Sequence, residues 1–248
     1  MPMNAPRFFC DEPLAVGAKV SLPKTVSHHI RVRRLKAGQT IVLFDGSGME
    51  FECLLQFEAD GQALALVSAA LEVNRELRGK VVLVQGIASQ DRMDWVIEKA
   101  VELGVTEFIP IAAARSVVKL SAERATKRAE HWRKLVISAS EQCGRNRLMN
   151  IHPPRELANA IAICQALPML LCHFSADSVD LAQQDLAQMT AASGAICIVV
   201  GPEGGWDDAE ARRWLDAGAV PTSLGARVLR TETAGAAATA ALTALLNW

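Results

Sequence analysis

From Lys80 onward the sequence alternates between mainly apolar runs of strand length and segments with helical spacing. This alternation constrains the fold more than any single motif. Residues 80–87, 105–111, 169–172, 195–200 and 220–224 are the runs, with a further strand near 148–151. An unbroken apolar strand is what a sheet covered on both faces requires. Between the runs, Met93, Val96, Ile97, Ala100, Val101 and Leu103 recur at helical spacing, with Ser89 placed to cap and Gly104 to stop that helix. Helices are also predicted over 122–142, from about 155, from Asp207 to Ala217 with Asp207 and Glu210 as a capping pair, and over 234–246. Strand–helix alternation of this kind predicts a mostly parallel, layered α/β domain.

Residues 1–73 read differently. The runs 40–44, 50–57 and 62–69 are rich in strand formers and separated by Asp45-Gly46-Ser47-Gly48 and Asp60-Gly61, whose glycines suit hairpin turns. The expectation is two domains, a small β-rich one over 1–73 and an α/β one over 74–248.

No apolar run reaches the roughly 18 residues of a membrane span. The first ten residues carry an Arg with no apolar stretch behind it, which is not a signal-peptide pattern. A soluble cytoplasmic protein is the expectation. Six cysteines lie scattered without C-x-x-C spacing, and the five histidines form no ligand pattern with them, so no metal is expected. The net charge of −1 excludes a globally basic nucleic-acid binder. Charge is nevertheless clustered. The stretch from Arg115 to Arg147 holds nine basic residues, Lys119 among them, against three acidic ones. A second cluster comprises His28, His29, Arg31, Arg33, Arg34 and Lys36. Such patches suit a polyanion bound by one face, although a solvated helix face would read the same way.

Three common nucleotide or nucleophile signatures are absent: the P-loop, the G-x-G-x-x-G turn and the G-x-S-x-G elbow. Instead the apolar run 195–200 leads directly into Gly201-Pro202-Glu203-Gly204-Gly205-Trp206. Glycines at the end of a buried strand let a ligand approach backbone closely, and open α/β sheets bind ligands at that end. A tight strand-to-helix turn needs no more than the same residues. Leu224-Gly225-Ala226-Arg227-Val228-Leu229-Arg230-Thr231-Glu232-Thr233-Ala234 follows the last strand and opens an Ala-rich helix that Thr231 is placed to cap.

These two stretches, in this order, resemble the cofactor loops of the SPOUT superfamily of methyltransferases. Further stretches narrow the resemblance: Pro6-Arg7-Phe8-Phe9, His28-His29-Ile30-Arg31-Val32-Arg33-Arg34, Glu98-Lys99-Ala100-Val101-Glu102-Leu103-Gly104-Val105, and Glu141-Gln142-Cys143-Gly144-Arg145-Asn146-Arg147. Together they are similar to the RsmE-type family of 16S ribosomal RNA uracil-N3 methyltransferases, over nearly the whole chain. Glu98 departs from the pattern, standing where Gln is more usual, and the start over 1–5 is slightly extended.

The resemblance implies an N-terminal PUA-like β-barrel and a C-terminal α/β SPOUT domain with a deep trefoil knot, which no rule of local structure predicts. It implies a homodimer, S-adenosyl-L-methionine as methyl donor, and a uridine of the assembled small subunit (position 1498 in the usual numbering) as target. The cofactor-binding residues expected are Leu171, Cys172, His173, Val200, Gly201, Pro202, Glu203, Gly204, Gly205, Leu224, Gly225, Leu229, Thr231, Thr233 and Ala234. Arg145 or Arg230 is expected to stabilise the uracil anion, and Glu232 or Glu141 to accept its proton. Arg7, His29, Arg31, Arg33, Arg34 and Arg147 are expected to bind RNA. Open alternatives are a SPOUT enzyme acting on a ribose 2′-hydroxyl or on transfer RNA, and a non-catalytic RNA-binding factor of the same fold. A metabolic nucleotide enzyme is disfavoured by the missing phosphate motifs.

Overall fold

A computed structural model describes residues 5–116, 122–173, 175 and 177–248. Lys119 and the first four residues of the extended start lie outside these. The chain divides into two compact units, Met1–Glu76 with Ser140–Leu148, and Leu77–Ala139 with Met149–Trp248. The expected boundary at 73/74 falls just short of the first division, and the return of Ser140–Leu148 to the first unit was not foreseen. Its cause is polar: Asn146 donates to the Val73 carbonyl at 2.9 Å, and Arg145 binds Glu76. Hydrophobic spacing carries no signal for such contacts.

The first unit contains β1 (Arg7–Phe9), β2 (Lys19–Ser21), α1 (Lys24–Val32), β3 (Thr40–Phe44), β4 (Met49–Phe57) and β5 (Ala63–Glu72). The strands form one sheet in the order β1-β3-β4-β5-β2, antiparallel except for the β1–β3 pair. β1 and β2, of three residues each, are the outer strands of this order. Phe8, Ile41, Leu43, Phe51, Cys53, Leu55 and Val67 form the core, and α1 buries Val26 and Ile30 against it. The sequence pattern missed β1, β2 and α1. The outward side of α1 holds the basic cluster.

The second unit contains β6 (Lys80–Gly86), α2 (Gln90–Glu102), β7 (Glu107–Ile111), α3 (Ala122–Cys143, its last turn in the first unit), β8 (Asn150–Ile151), α4 (Leu157–Cys164), β9 (Met169–Cys172), β10 (Val179–Asp180), α5 (Leu186–Thr190), β11 (Ala195–Val200), α6 (Asp208–Asp216), β12 (Val220–Ser223) and α7 (Thr231–Leu246). Its seven strands are all parallel, in the order β10-β12-β9-β11-β6-β7-β8. The layered parallel α/β expectation holds. Every residue of β11 is buried, which is why Ala195–Val200 is apolar without alternation. One core cluster runs through Val84, Ile109, Leu171, Val199, Trp206 and Trp214. Asp207 and Glu210 do form a reciprocal capping box at the start of α6.

Helix α7 packs on α2, β6 and β11. A Cβ placed on Gly235 would stand 3.2 Å from Leu83 Cδ2, so the helix lies as close to β6 as a side-chain-free backbone allows. This close approach accounts for the one glycine of an otherwise Ala-rich helix. No helix of the described residues is long and apolar enough to cross a membrane.

Candidate functional site

In a parallel sheet all strands end on the same edge, so the loops that follow them meet there. In the second unit the segments after β9, β11 and β12 enclose a cavity of about 580 Å³. Cys172 and His173 come from the first of these, Val200, Gly201, Pro202, Glu203, Gly205 and Trp206 from the second, and Val228, Leu229, Arg230, Thr231 and Ala234 from the third. Arg92, on α2, completes the lining. A smaller adjoining cavity of about 100 Å³ adds Leu224 and Gly225 and shares Cys172, His173, Leu229 and Ala234 with the first.

Two features hold these loops together. A Cβ on Gly86 would fall 2.4 Å from both N and Cδ of Pro202, so the turn after β11 rests directly on the end of β6. Beside it, Gln85 is fully buried, and its side-chain amide donates to Thr231 Oγ1 at 2.9 Å and to the carbonyls of Gly86 and Gly201 at 3.0 and 3.3 Å. The Thr231 hydroxyl in turn donates to the Gly201 carbonyl at 2.5 Å. One buried amide and one hydroxyl thus join the end of β6, the loop after β11 and the first turn of α7. Thr231 is not the cap it was expected to be. Arg230 is the N-cap residue, without a side-chain bond, and Thr231 is the first helical residue.

The charged groups are arranged unevenly. Glu203 Oε1 accepts from the Ser89 amide at 2.9 Å and lies 3.3 Å from an Arg92 nitrogen. Burial opposes its charge, but the Ser89 bonds, its own amide and Arg92 outweigh burial and hold its pKa below the ordinary glutamate value. Glu232 Oε1 stands 3.8 Å from Arg92 and 3.9 Å from Arg230. Glu203 Oε2, Glu232 Oε2 and Gln85 Oε1 are buried without a hydrogen-bond partner. Such atoms carry a desolvation cost and call for an explanation. Burial pushes the Cys172 thiol up to about 12, so it lines the cavity as a neutral group.

Most expected cofactor residues line one cavity or the other. Three do not. Leu171 is wholly buried inside β9. Gly204 faces Arg115, whose guanidinium donates to its carbonyl at 3.4 Å, and a Cβ there would meet Arg115 Cβ at 2.9 Å. Thr233 lies beyond the lining, in the first turn of α7. Of the expected catalytic residues, Arg230 lines the cavity and Glu232 stands beside it in the ion-pair cluster.

Arg145, expected to steady the uracil anion, does not line this cavity. It belongs to the first unit, is 4% exposed, and its guanidinium grips both oxygens of Glu76 at 3.1 and 2.5 Å. Glu141, in the same unit, accepts from the Phe9 amide at 2.9 Å, and burial raises its pKa. Arg7, expected to contact RNA, also has partners within the first unit. It lies 2.6 Å from Glu50, bonds Asn146 at 2.5 Å, and stacks 5.4 Å over Phe44. By contrast His29, Arg31, Arg33 and Arg34 are all exposed on α1 and the turn after it, and Arg147 is exposed as well.

Sequence reasoning missed Gln85 and Arg92. Gln85 had a signal, being a polar residue inside the otherwise apolar β6. Arg92 had none, since it resembles any charged residue in a first helical turn. Among the described residues no cluster of three or more His, Cys, Asp or Glu could hold a metal ion.

Comparison with known proteins agrees with this geometry. A family model described as an RNA methyltransferase domain matches residues 75–243, and one described as an RNA methyltransferase PUA domain matches residues 22–67. The ribosomal RNA small subunit methyltransferase E of Bacillus subtilis is 35% identical over 84% of this chain and 83% of its own length. The crystal structure of that methyltransferase from Neisseria gonorrhoeae, bound to S-adenosyl methionine, is 36% identical. It superposes with a TM-score of 0.88 over 98% of both chains. A putative methyltransferase from Legionella pneumophila, also in complex with that cofactor, gives a TM-score of 0.89 at 31% identity, again over 98% of both chains. This chain belongs to the RNA methyltransferase family whose curated relatives are named ribosomal RNA small subunit methyltransferase E.

Proposed function

We propose that this protein transfers the methyl group of S-adenosyl-L-methionine to N3 of a uridine in 16S ribosomal RNA of the assembled small subunit, at position 1498. The observation that carries the reading is the cavity at the strand ends, walled in part by Gly201, Pro202 and Gly205, with the Gly201–Pro202 turn resting on Gly86. Such walls suit a flat nucleoside that carries no phosphate. When bound, the cofactor supplies a methyl carbon made electrophilic by its positive sulfur. Gln85 and Thr231 keep the two long loops in register around it. Arg230, at the cavity edge, steadies the negative charge that grows on the uracil oxygens as the N3 proton leaves. Glu232, with its unpartnered Oε2, accepts that proton directly or through water.

The first unit is read as the RNA-holding domain, with His29 and Arg31 on α1, Arg33 and Arg34 in the turn after it, and Arg147 meeting phosphates. The second unit is read as a SPOUT domain with a trefoil knot, supported by the packing of Gly201 and Pro202 on Gly86 and the Thr231 bond to Gly201. An apolar groove of about 360 Å³ along α7, lined by Leu181, Leu224, Ala237, Ala241 and Leu245 among others, supports a homodimer. The test is transfer of labelled methyl groups to small subunits lacking the modification, followed by nucleoside mass spectrometry. N3-methyluridine is expected. A 2′-O-methylated product would discard the substrate reading.

A further inference from the structure

Three charged side chains from three separate segments meet at the cavity. Arg92 comes from α2, Glu203 from the loop after β11, and Glu232 from the first turn of α7. Arg92 reaches both acids, at 3.3 and 3.8 Å. Glu232 Oε1 also lies 3.9 Å from Arg230, whose side chain is 78% exposed against 40% for Arg92. Arg227 and Arg230 are exposed, and their charges are screened by water. Glu203 cannot swing away to relieve the excess, because the Ser89 amide holds its Oε1. Each acid keeps a buried oxygen with no partner. With Arg230 discounted for its exposure, the rim sets two carboxylates against one guanidinium, and Glu203 is held in place.

We propose that this Glu203–Arg92–Glu232 rim makes the cavity select the sulfonium form of the cofactor over its neutral thioether product. The inference rests on the cofactor reading above and extends it to how the spent cofactor is discriminated. S-adenosylmethionine and S-adenosylhomocysteine differ by one methyl group and one positive charge. A negative rim attracts the first and is indifferent to the second, so methyl transfer itself removes the attraction. Arg92 sets the size of the effect by cancelling one of the two acids. The rim is thereby a specificity device and not only a brace for the loops.

The test is calorimetric titration of both compounds into the wild-type protein and four variants, Glu203→Gln, Glu232→Gln, Arg92→Met and Arg92→Lys. The readout is the ratio of the two Kd values, product over donor. Removing an acid should lower the ratio, and removing Arg92 should raise it, each by roughly three- to tenfold for one charge in a partly solvated site. Arg92→Lys should restore the wild-type ratio. A purely structural role would weaken both compounds together and leave the ratio unmoved in every variant, and that result overturns the proposal. Should Arg92→Met fail to fold, the two Gln variants decide, since Gln keeps an oxygen for the Ser89 amide. The wild-type ratio should also shrink as salt rises, and a salt-independent ratio counts against the rim. Wild-type protein that binds neither compound overturns the cofactor reading itself, whereas normal binding with unmoved ratios overturns the rim alone.

Discussion

The molecule contains two clusters of buried charge that treat their carboxylates in opposite ways. In the first unit Glu50 is 1% exposed, and one of its oxygens lies 2.6 Å from Arg7 and 2.7 Å from Arg75. Arg7 continues to Asn146, and Arg75 to the Gly144 carbonyl at 3.0 Å. No oxygen of Glu50, Glu76 or Glu141 is buried without a partner. Among the described residues of that unit, the buried side-chain atoms without a partner are Arg7 Nε and the Ser140 hydroxyl. In the second unit Glu203 and Glu232 share Arg92 and each retains an orphaned buried oxygen. The first pattern is that of a cluster that supports a fold. The second is what a site shaped for an outside group looks like, because its polar atoms are left to be satisfied by that group.

Substitutions should separate the two patterns. The largest effect is expected from Glu50→Ala, which strands two guanidinium groups. Breaking a buried pair in this way costs about 3 kcal/mol, read as a lowered midpoint in urea, with cofactor affinity of the folded protein unchanged. A loss of affinity without a loss of stability would break the comparison. Gln85→Leu should come next. It removes the amide that joins three segments, costs about 2 kcal/mol for the acceptors left behind, and weakens cofactor binding more than tenfold by calorimetry. Asp207→Ala removes one half of a capping box and should cost about 1 kcal/mol in the same urea assay, without altering cofactor affinity.

A pH titration sharpens the first cluster further. Burial works against the Glu50 charge, but Arg75 and Arg7 outweigh it and hold its pKa below the ordinary value of 4.5. The stability it contributes is therefore fully present above pH 4.5 and is lost as pH falls through the lowered native value. The wild-type protein should lose stability over that window, and Glu50→Gln should lose less. Smallest in stability terms are Arg31→Ala and Arg33→Ala. Each should leave the urea midpoint unchanged while reducing the salt dependence of RNA binding by about one counterion.

The legibility of the sequence followed the same division. Apolar runs marked β6, β9 and β11 because burial on both faces excludes polar residues, and the glycine run after β11 marked the cavity. What periodicity could not show was polar pairing at long range. Nothing in the spacing of Arg145 or Arg7 points to a carboxylate partner, and only the folded chain brings Glu76 and Glu50 to them. Thr231 looked like a cap, yet its hydroxyl is drawn to a carbonyl 30 residues away in sequence. Strands of three residues, such as β1 and β2, are too short to display a period at all.

Hydrogen exchange with and without S-adenosylmethionine distinguishes a ligand site at the strand ends from a cluster that only supports the fold. The cofactor should slow exchange at residues 200–206 and 224–234, around the orphaned carboxylates, and leave residues 7–9 and 141–147 unchanged. Protection confined to the first unit, with none along those two loops, would contradict the account.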